Sequence, residues 1–126
     1  MAEAIEVDAY RKRKAAHNAG AIVMATIAYK AIGDCGHNPD NTAKSANSSA
    51  TALNHEVLRK PLASIIQEDE FSSTGTGVID ADEIPGGVIS EAALYDANNY
   101  LVCIKNFPAK YLEEGETYSI SLKQRF

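Results

Sequence analysis

Apolar and polar positions are most informative over residues 84 to 108, where two extended runs flank a turn. From 88 to 95 the chain divides into two interleaved sets, Val88, Ser90, Ala92, Leu94 and Ile89, Glu91, Ala93, Tyr95. Both sets are largely apolar, the pattern of a strand covered on both faces. Pro85 removes a ladder donor and Gly86 and Gly87 permit positive φ, so a bend belongs just before Val88. Asp96, Ala97, Asn98 and Asn99 supply side chains that bond their own backbone and reverse the chain. The return strand then runs from 100 to 107. Asn106, Phe107 and Pro108 close it, because Pro108 holds its predecessor extended and has no N–H to donate.

The remaining segments arrange themselves around this hairpin. Residues 3 to 19 hold helix formers with Glu3, Glu6 and Asp8 early and Arg11, Lys12, Arg13 and Lys14 later, the order that complements a helix dipole, and Gly20 is a stop signal. The apolar positions of that helix, Ile5, Tyr10, Ala15 and Ala19, make only a narrow stripe. Residues 22 to 32 read as a buried strand, followed by a Gly33 to Gly36 turn and a polar loop over 37 to 51. Residues 56 to 68 form a second extended block, with Pro61 implying an edge strand or bulge and Glu68, Asp69 and Glu70 a charged end. Residues 72 to 77 read as a flexible turn and 78 to 84 as a short strand. The closing run 117 to 126 places Tyr118, Ile120, Leu122 and Phe126 on one face and Ser119, Ser121 and Lys123 on the other.

The expected fold is mainly β, a small antiparallel sandwich of about five to seven strands with one N-terminal helix. An α+β fold, in which 22 to 32 continues the helix, is the alternative. Residues 1 to 20 would be a helical docking segment and 21 to 126 a single β-rich domain. Ile5 and Tyr10 are the candidate docking side chains, with the basic Arg11 and Arg13 beside them, because large apolar groups on so narrow a face call for a partner.

Composition narrows the function classes. With 126 residues, 45% of them hydrophobic and 23% charged, the chain is long enough for a sizeable core in one domain. A net charge of −5 removes the excess of Lys and Arg on which general nucleic-acid binding depends. The basic run before residues 21 to 28 imitates a secretory signal, but His17, Asn18 and Gly20 interrupt it, and the run is far short of the ~20 residues of a membrane span. The two cysteines, Cys35 and Cys103, make no disulfide framework.

Catalytic chemistry is thinly represented. Cys35 and His37 could open a zinc site or a nucleophilic pair, but no matched second pair follows. Asp80, Asp82 and Glu83 lack the organised loop of a calcium site. The expectation is no enzyme, no metal and no cofactor. Arg59 and Glu91 are single charges in apolar strands; either a cross-strand ion pair satisfies both or each points to solvent.

Several motifs recur in one order: Ile32, Gly33, Asp34 and Gly36; Glu56, Arg59 and Pro61; Pro85, Gly86 and Gly87; Glu91, Leu94, Tyr95 and Asp96; Asn106, Phe107 and Pro108. In this order the chain resembles the N-terminal domain of bacteriophage tail fibre proteins, the tail-collar fibre family of contractile-tailed phages, over residues 25 to 126. Ser90, Ala93 and Lys105 depart from the family's usual Arg, Gly and Gly. The resemblance implies a structural virion protein, a fibre or a fibre adaptor at the baseplate. It also implies baseplate proteins and fibre subunits as partners, a homotrimer, and synthesis in the bacterial cytoplasm. Since the family continues into a shaft and a receptor-binding tip, a chain ending at 126 would be the attachment end. The competing class is a carbohydrate-binding sandwich recognising a host receptor, suggested by the polar loop 37 to 51 and by Tyr95, Tyr100, Tyr111 and Tyr118.

Overall fold

The computed structural model describes residues 4–69 and 72–125. Glu3, Glu70 and Phe126, which the sequence assigns to the helix start, a charged strand end and a face of the closing strand, lie outside the described residues.

The chain runs through β1 (Ile5–Glu6), α1 (Asp8–Asn18), β2 (Ile27–Gly33), β3 (Glu56–Pro61), β4 (Ser64–Asp69), β5 (Ser72–Asp80), β6 (Val88–Asp96), β7 (Leu101–Tyr111) and β8 (Thr117–Arg125). All strand pairs are antiparallel. One sheet has the order β1-β7-β6-β2-β3 and the other β4-β5-β8. With 49% strand and 14% helical residues the protein is mainly β, a small sandwich with an N-terminal helix, and the α+β alternative fails. The core joins Ile32, Leu94 and Val102 of the larger sheet to Ile79 and Leu122 of the smaller one and to Val7 and Tyr10.

The β6–β7 hairpin sits at the centre, as its pattern requires. β6 is buried from Ile89 to Asp96 on both faces. Asp96 Oδ1 accepts the N–H groups of Asn98 (2.9 Å) and Tyr100 (3.0 Å), and Asn99 takes the left-handed φ of 66° that closes the turn. Ahead of β6, Gly86 and Gly87 adopt φ of 76° and 66° in a 3-10 turn over Pro85–Gly87. Pro108 does not end the return strand, which continues to Tyr111. An irregularity in the pairing between Ile89 and Glu91 leaves Pro108 unpaired, so its missing N–H costs the ladder nothing.

Several sequence expectations are corrected. The helix starts at Asp8 rather than residue 3, because Ile5 and Glu6 pair with Ile104 and Cys103 along the edge of β7. Val7 N–H donates to the Val102 carbonyl (3.1 Å) and Asp8 N–H to the Ser48 carbonyl (2.7 Å), so tertiary bonds rather than a side-chain cap fix the helix entry. Residues 22 to 26 are not strand; β2 begins at Ile27. The block 56 to 68 is two strands on different sheets, broken at Leu62 and Ala63. Pro61 ends β3, which is an edge strand as a proline there requires.

The run 72 to 77 is not a flexible turn but the first two thirds of β5. Its glycines serve packing: an added Cβ on Gly75 would press on Leu62 and Leu94, and one on Gly77 would collide with the buried stem of Lys30. Small residues let the two sheets approach there.

The docking assignment divides. Tyr10 is 7% exposed and belongs to the protein's own core, whereas Ile5 is 44% exposed. The basic run divides too. Arg13 donates to the Leu101 carbonyl (2.9 Å) and Lys14 pairs with Glu6 (2.8 Å), leaving Arg11 and Lys12 exposed to solvent. Of the docking segment, the described residues 4 to 20 are built into the domain rather than held apart from it, because Val7 and Tyr10 fill space over β7. Tyr10→Ala is expected to cost about 3 kcal/mol or more, against about 1 kcal/mol or less for Ile5→Ala, in urea denaturation. Equal losses would remove Tyr10 from the core.

Candidate functional site

The glycines of the first motif meet the buried Glu91 of β6. Its side chain is fully buried, yet no Lys or Arg pairs with it among the described residues. Three backbone N–H groups satisfy it instead: Asn54 donates to Oε1 (2.8 Å), while Cys35 (3.0 Å) and His55 (3.0 Å) donate to Oε2. Each is a charge-assisted bond, the arrangement that stabilises a buried carboxylate. One side chain thereby ties the turn after β2 to the segment that enters β3.

The Gly-Asp-x-Gly spacing follows from this crowding. A Cβ on Gly33 would meet the Glu91 carboxylate and the His55 carbonyl. One on Gly36 would strike the Ser90 backbone. Gly36 N–H instead donates to Ser90 Oγ (2.8 Å), so the serine that departs from the family pattern has a defined role. Asp34 N–H reaches the His55 carbonyl (3.3 Å), and Asn54 Nδ2 donates to the Cys35 carbonyl (3.2 Å).

The proposed Arg59–Glu91 pair does not form. Arg59 lies in edge strand β3, three residues from Glu56, and makes a two-pronged contact with its carboxylate (Nη2 2.7 Å, Nε 3.2 Å). Its guanidinium also lies 3.7 Å from the centroid of the Tyr95 ring and donates to Asn99 Oδ1 (3.3 Å). Sequence pattern identified both charges as singular but paired each with the wrong partner. The nearer carboxylate for Arg59 was on its own strand, and the donors for Glu91 were backbone groups, which carry no residue signature.

Other motif side chains are likewise consumed by the fold. Asn106 Nδ2 holds the Lys44 carbonyl (3.2 Å), fastening the polar loop 37 to 51 onto β7. Asn41 Oδ1 accepts the Ala109 N–H (2.9 Å) from the same loop. Arg13 packs over Tyr100 at 4.9 Å and lies 3.9 Å from Asp96, tying α1 to the hairpin turn.

Beside the Glu91 clasp, Asp34, Cys35 and His55 bring one ligating atom each to within 4.8 Å of one another. Asp34 Oδ1 stands 2.6 Å from His55 Nδ1 and 3.5 Å from Cys35 Sγ. The histidine that joins Cys35 is thus His55 and not the sequence-adjacent His37, which forms an isolated bridge with Ala43. Partial burial would raise the Asp34 carboxyl, but hydrogen bonds from His55 and Cys35 outweigh it and hold the group below its ordinary value. Burial, the Asp34 contact and the Asp34 and Glu91 charges all push the Cys35 thiol up, which argues against a free nucleophile. Cys103, buried in β7, is pushed up to about 12, chiefly by desolvation, and is chemically inert. The acidic residues 80 to 83 form a capped 3-10 turn in which Glu83 bonds the Asp80 N–H (3.0 Å) and Lys60 (2.9 Å), rather than an open ligand loop.

No protein-family model matches the chain, and the curated proteins give no significant match. The likeness to tail fibre domains therefore rests on the residues quoted for it.

Glu91→Gln would aim an amide N–H₂ at one or more of the three backbone donors. A loss of about 2 to 3 kcal/mol is expected in denaturant unfolding, with faster hydrogen exchange at Cys35, Asn54 and His55. In a double-mutant cycle, Arg59→Ala and Glu91→Gln should be additive within about 0.5 kcal/mol; a larger coupling would restore the ion pair.

Proposed function

We propose that the protein is a structural component of a contractile phage tail, a fibre or fibre adaptor that attaches fibres to the baseplate, acting without catalysis. The observation that carries this reading is that residues of the tail fibre resemblance are spent on fastening the central hairpin and the segments around it. Gly33, Gly36 and Glu91 join the turn after β2 and the segment entering β3 to the central hairpin, Asn106 fastens the loop 37 to 51, Asp96 closes the hairpin turn, and Arg59 of β3 packs on Tyr95. A motif whose members are spent on rigidity suits an attachment module that bears load.

Large apolar side chains remain at the surface, among them Val23 (88% exposed), Ile66 (57%) and Ile65, consistent with protein partners such as fibre subunits, baseplate proteins or further copies in a trimer. The net charge of −5 does not favour nucleic acid. No helix among the described residues is long and apolar enough to cross a membrane.

The carbohydrate reading gains little support from the tyrosines. Tyr95 is buried and Tyr118 half-buried, while Tyr100 and Tyr111 flank the two ends of β7, about 35 Å apart at strand rise, so they do not form a joint stacking platform.

The purified chain is expected to sediment at about three times its 13.5 kDa mass. In an assembled particle imaged at side-chain resolution it should occupy the fibre attachment points. A stable monomer absent from such particles, or one that binds host polysaccharide, would overturn the proposal.

A further inference from the structure

Asp34 and Cys35 lie on the turn that ends β2, and His55 lies on the segment entering β3, so the cluster is assembled by tertiary structure. The three residues are not merely adjacent. Cys35 N–H and His55 N–H share Glu91 Oε2, and Asp34 N–H is bonded to the His55 carbonyl, so one buried carboxylate fixes the backbones from which all three donor side chains project. That is the outer-shell support that holds metal ligands in register.

The donor set is chemically selective. Thiolate and imidazole favour zinc-class ions over magnesium or calcium, which prefer oxygen. A thiolate, a carboxylate and a neutral imidazole together balance a dipositive charge, and Glu91 adds negative potential from behind the cluster. We propose that Asp34 Oδ1, Cys35 Sγ and His55 Nδ1 form a three-ligand binding site for a zinc-class divalent cation, with a fourth position open to solvent.

In a tetrahedral centre with metal–ligand bonds of about 2.0 to 2.3 Å, neighbouring ligand atoms stand about 3.3 to 3.7 Å apart. The Cys35–Asp34 separation of 3.5 Å already fits. The 2.6 Å between Asp34 and His55 must widen, and the His55 side chain, 62% exposed, is free to turn. On binding, the Cys35 thiol proton leaves to solvent and His55 carries its remaining proton on Nε2, so that Nδ1 offers a lone pair. The consequence is a metal staple across the two segments that Glu91 joins from beneath. It stands apart from the tail-fibre reading, which a failure here would leave untouched.

Cobalt(II) titration of the reduced full chain tests it. The expected result is a thiolate-to-cobalt charge-transfer band saturating at one equivalent, with strong visible bands of a tetrahedral ion, both abolished by one equivalent of zinc. Cys35→Ser, at an exposed position, should lose the charge-transfer band while keeping its far-ultraviolet circular dichroism. His55→Ala and Asp34→Asn should each weaken binding about tenfold or more. No charge-transfer band in the unaltered chain, a band that survives Cys35→Ser, or an affinity unchanged in both His55→Ala and Asp34→Asn would overturn the site.

Discussion

A buried carboxylate that no Lys or Arg pairs with among the described residues is the constraint on which this protein is built. Removing a carboxylate from water costs several kcal/mol even after relaxation, and an unpaired one would lose its charge or unfold the segment that carries it. Glu91 is not left unpaired, because three N–H groups from one pair of segments point at its two oxygens. At roughly 1.5 to 3 kcal/mol for each hydrogen bond to a charged group, three are of the size needed to offset the desolvation. The dependence runs both ways. The N–H groups of Cys35, Asn54 and His55 turn to this one carboxylate rather than to regular strand pairing, and without Glu91 they would lose that shared acceptor.

That arrangement explains why the central hairpin can be covered on both faces. Toward the smaller sheet, Leu94 approaches Gly75. On the opposite side, Glu91 and Tyr95 meet irregular chain and the guanidinium of Arg59 rather than another sheet. Loops make poor covers unless their backbone groups are satisfied, and here polar side chains of the hairpin do this: Ser90 for Gly36, Glu91 for 35, 54 and 55, Asn106 for Lys44. The long segment between β2 and β3 is therefore a third layer held by hydrogen bonds, with apolar contacts from Ala46, Ala50 and Leu53.

How much of this the sequence disclosed follows from which forces leave a periodic trace. The hairpin was legible because alternation, glycines and Asx residues each act locally. The closing strand was legible for the same reason. Residues 72 to 77 were misread because Ser, Thr and Gly are turn residues by propensity, and only the proximity of Leu62, Leu94 and Lys30 makes glycine useful in a strand there. The start of α1 was misread because helix propensity extends through Ile5 and Glu6, while the free edge of β7 claims them. Glu91 and Arg59 stood out as isolated charges, yet their partners did not. A backbone donor is invisible in a sequence, and Glu56, though in the same motif as Arg59, was passed over as its partner for a more distant carboxylate.

The same logic governs the thiol. Pairing Cys35 with His37 uses nearness in sequence, but His37 is drawn into a bridge with Ala43. His55 arrives because Glu91 binds its backbone and that of Cys35 through one oxygen. Chemistry at this corner is thus a by-product of a structural bond. Glu91 puts a carboxylate under the turn, the carboxylate gathers two loops, and the loops present Asp34, Cys35 and His55 together at the surface. The residues that hold the fold and those that could act on it are consecutive in the chain, which is why a motif read only for its glycines and acids conveys the scaffold but not the cluster mounted on it.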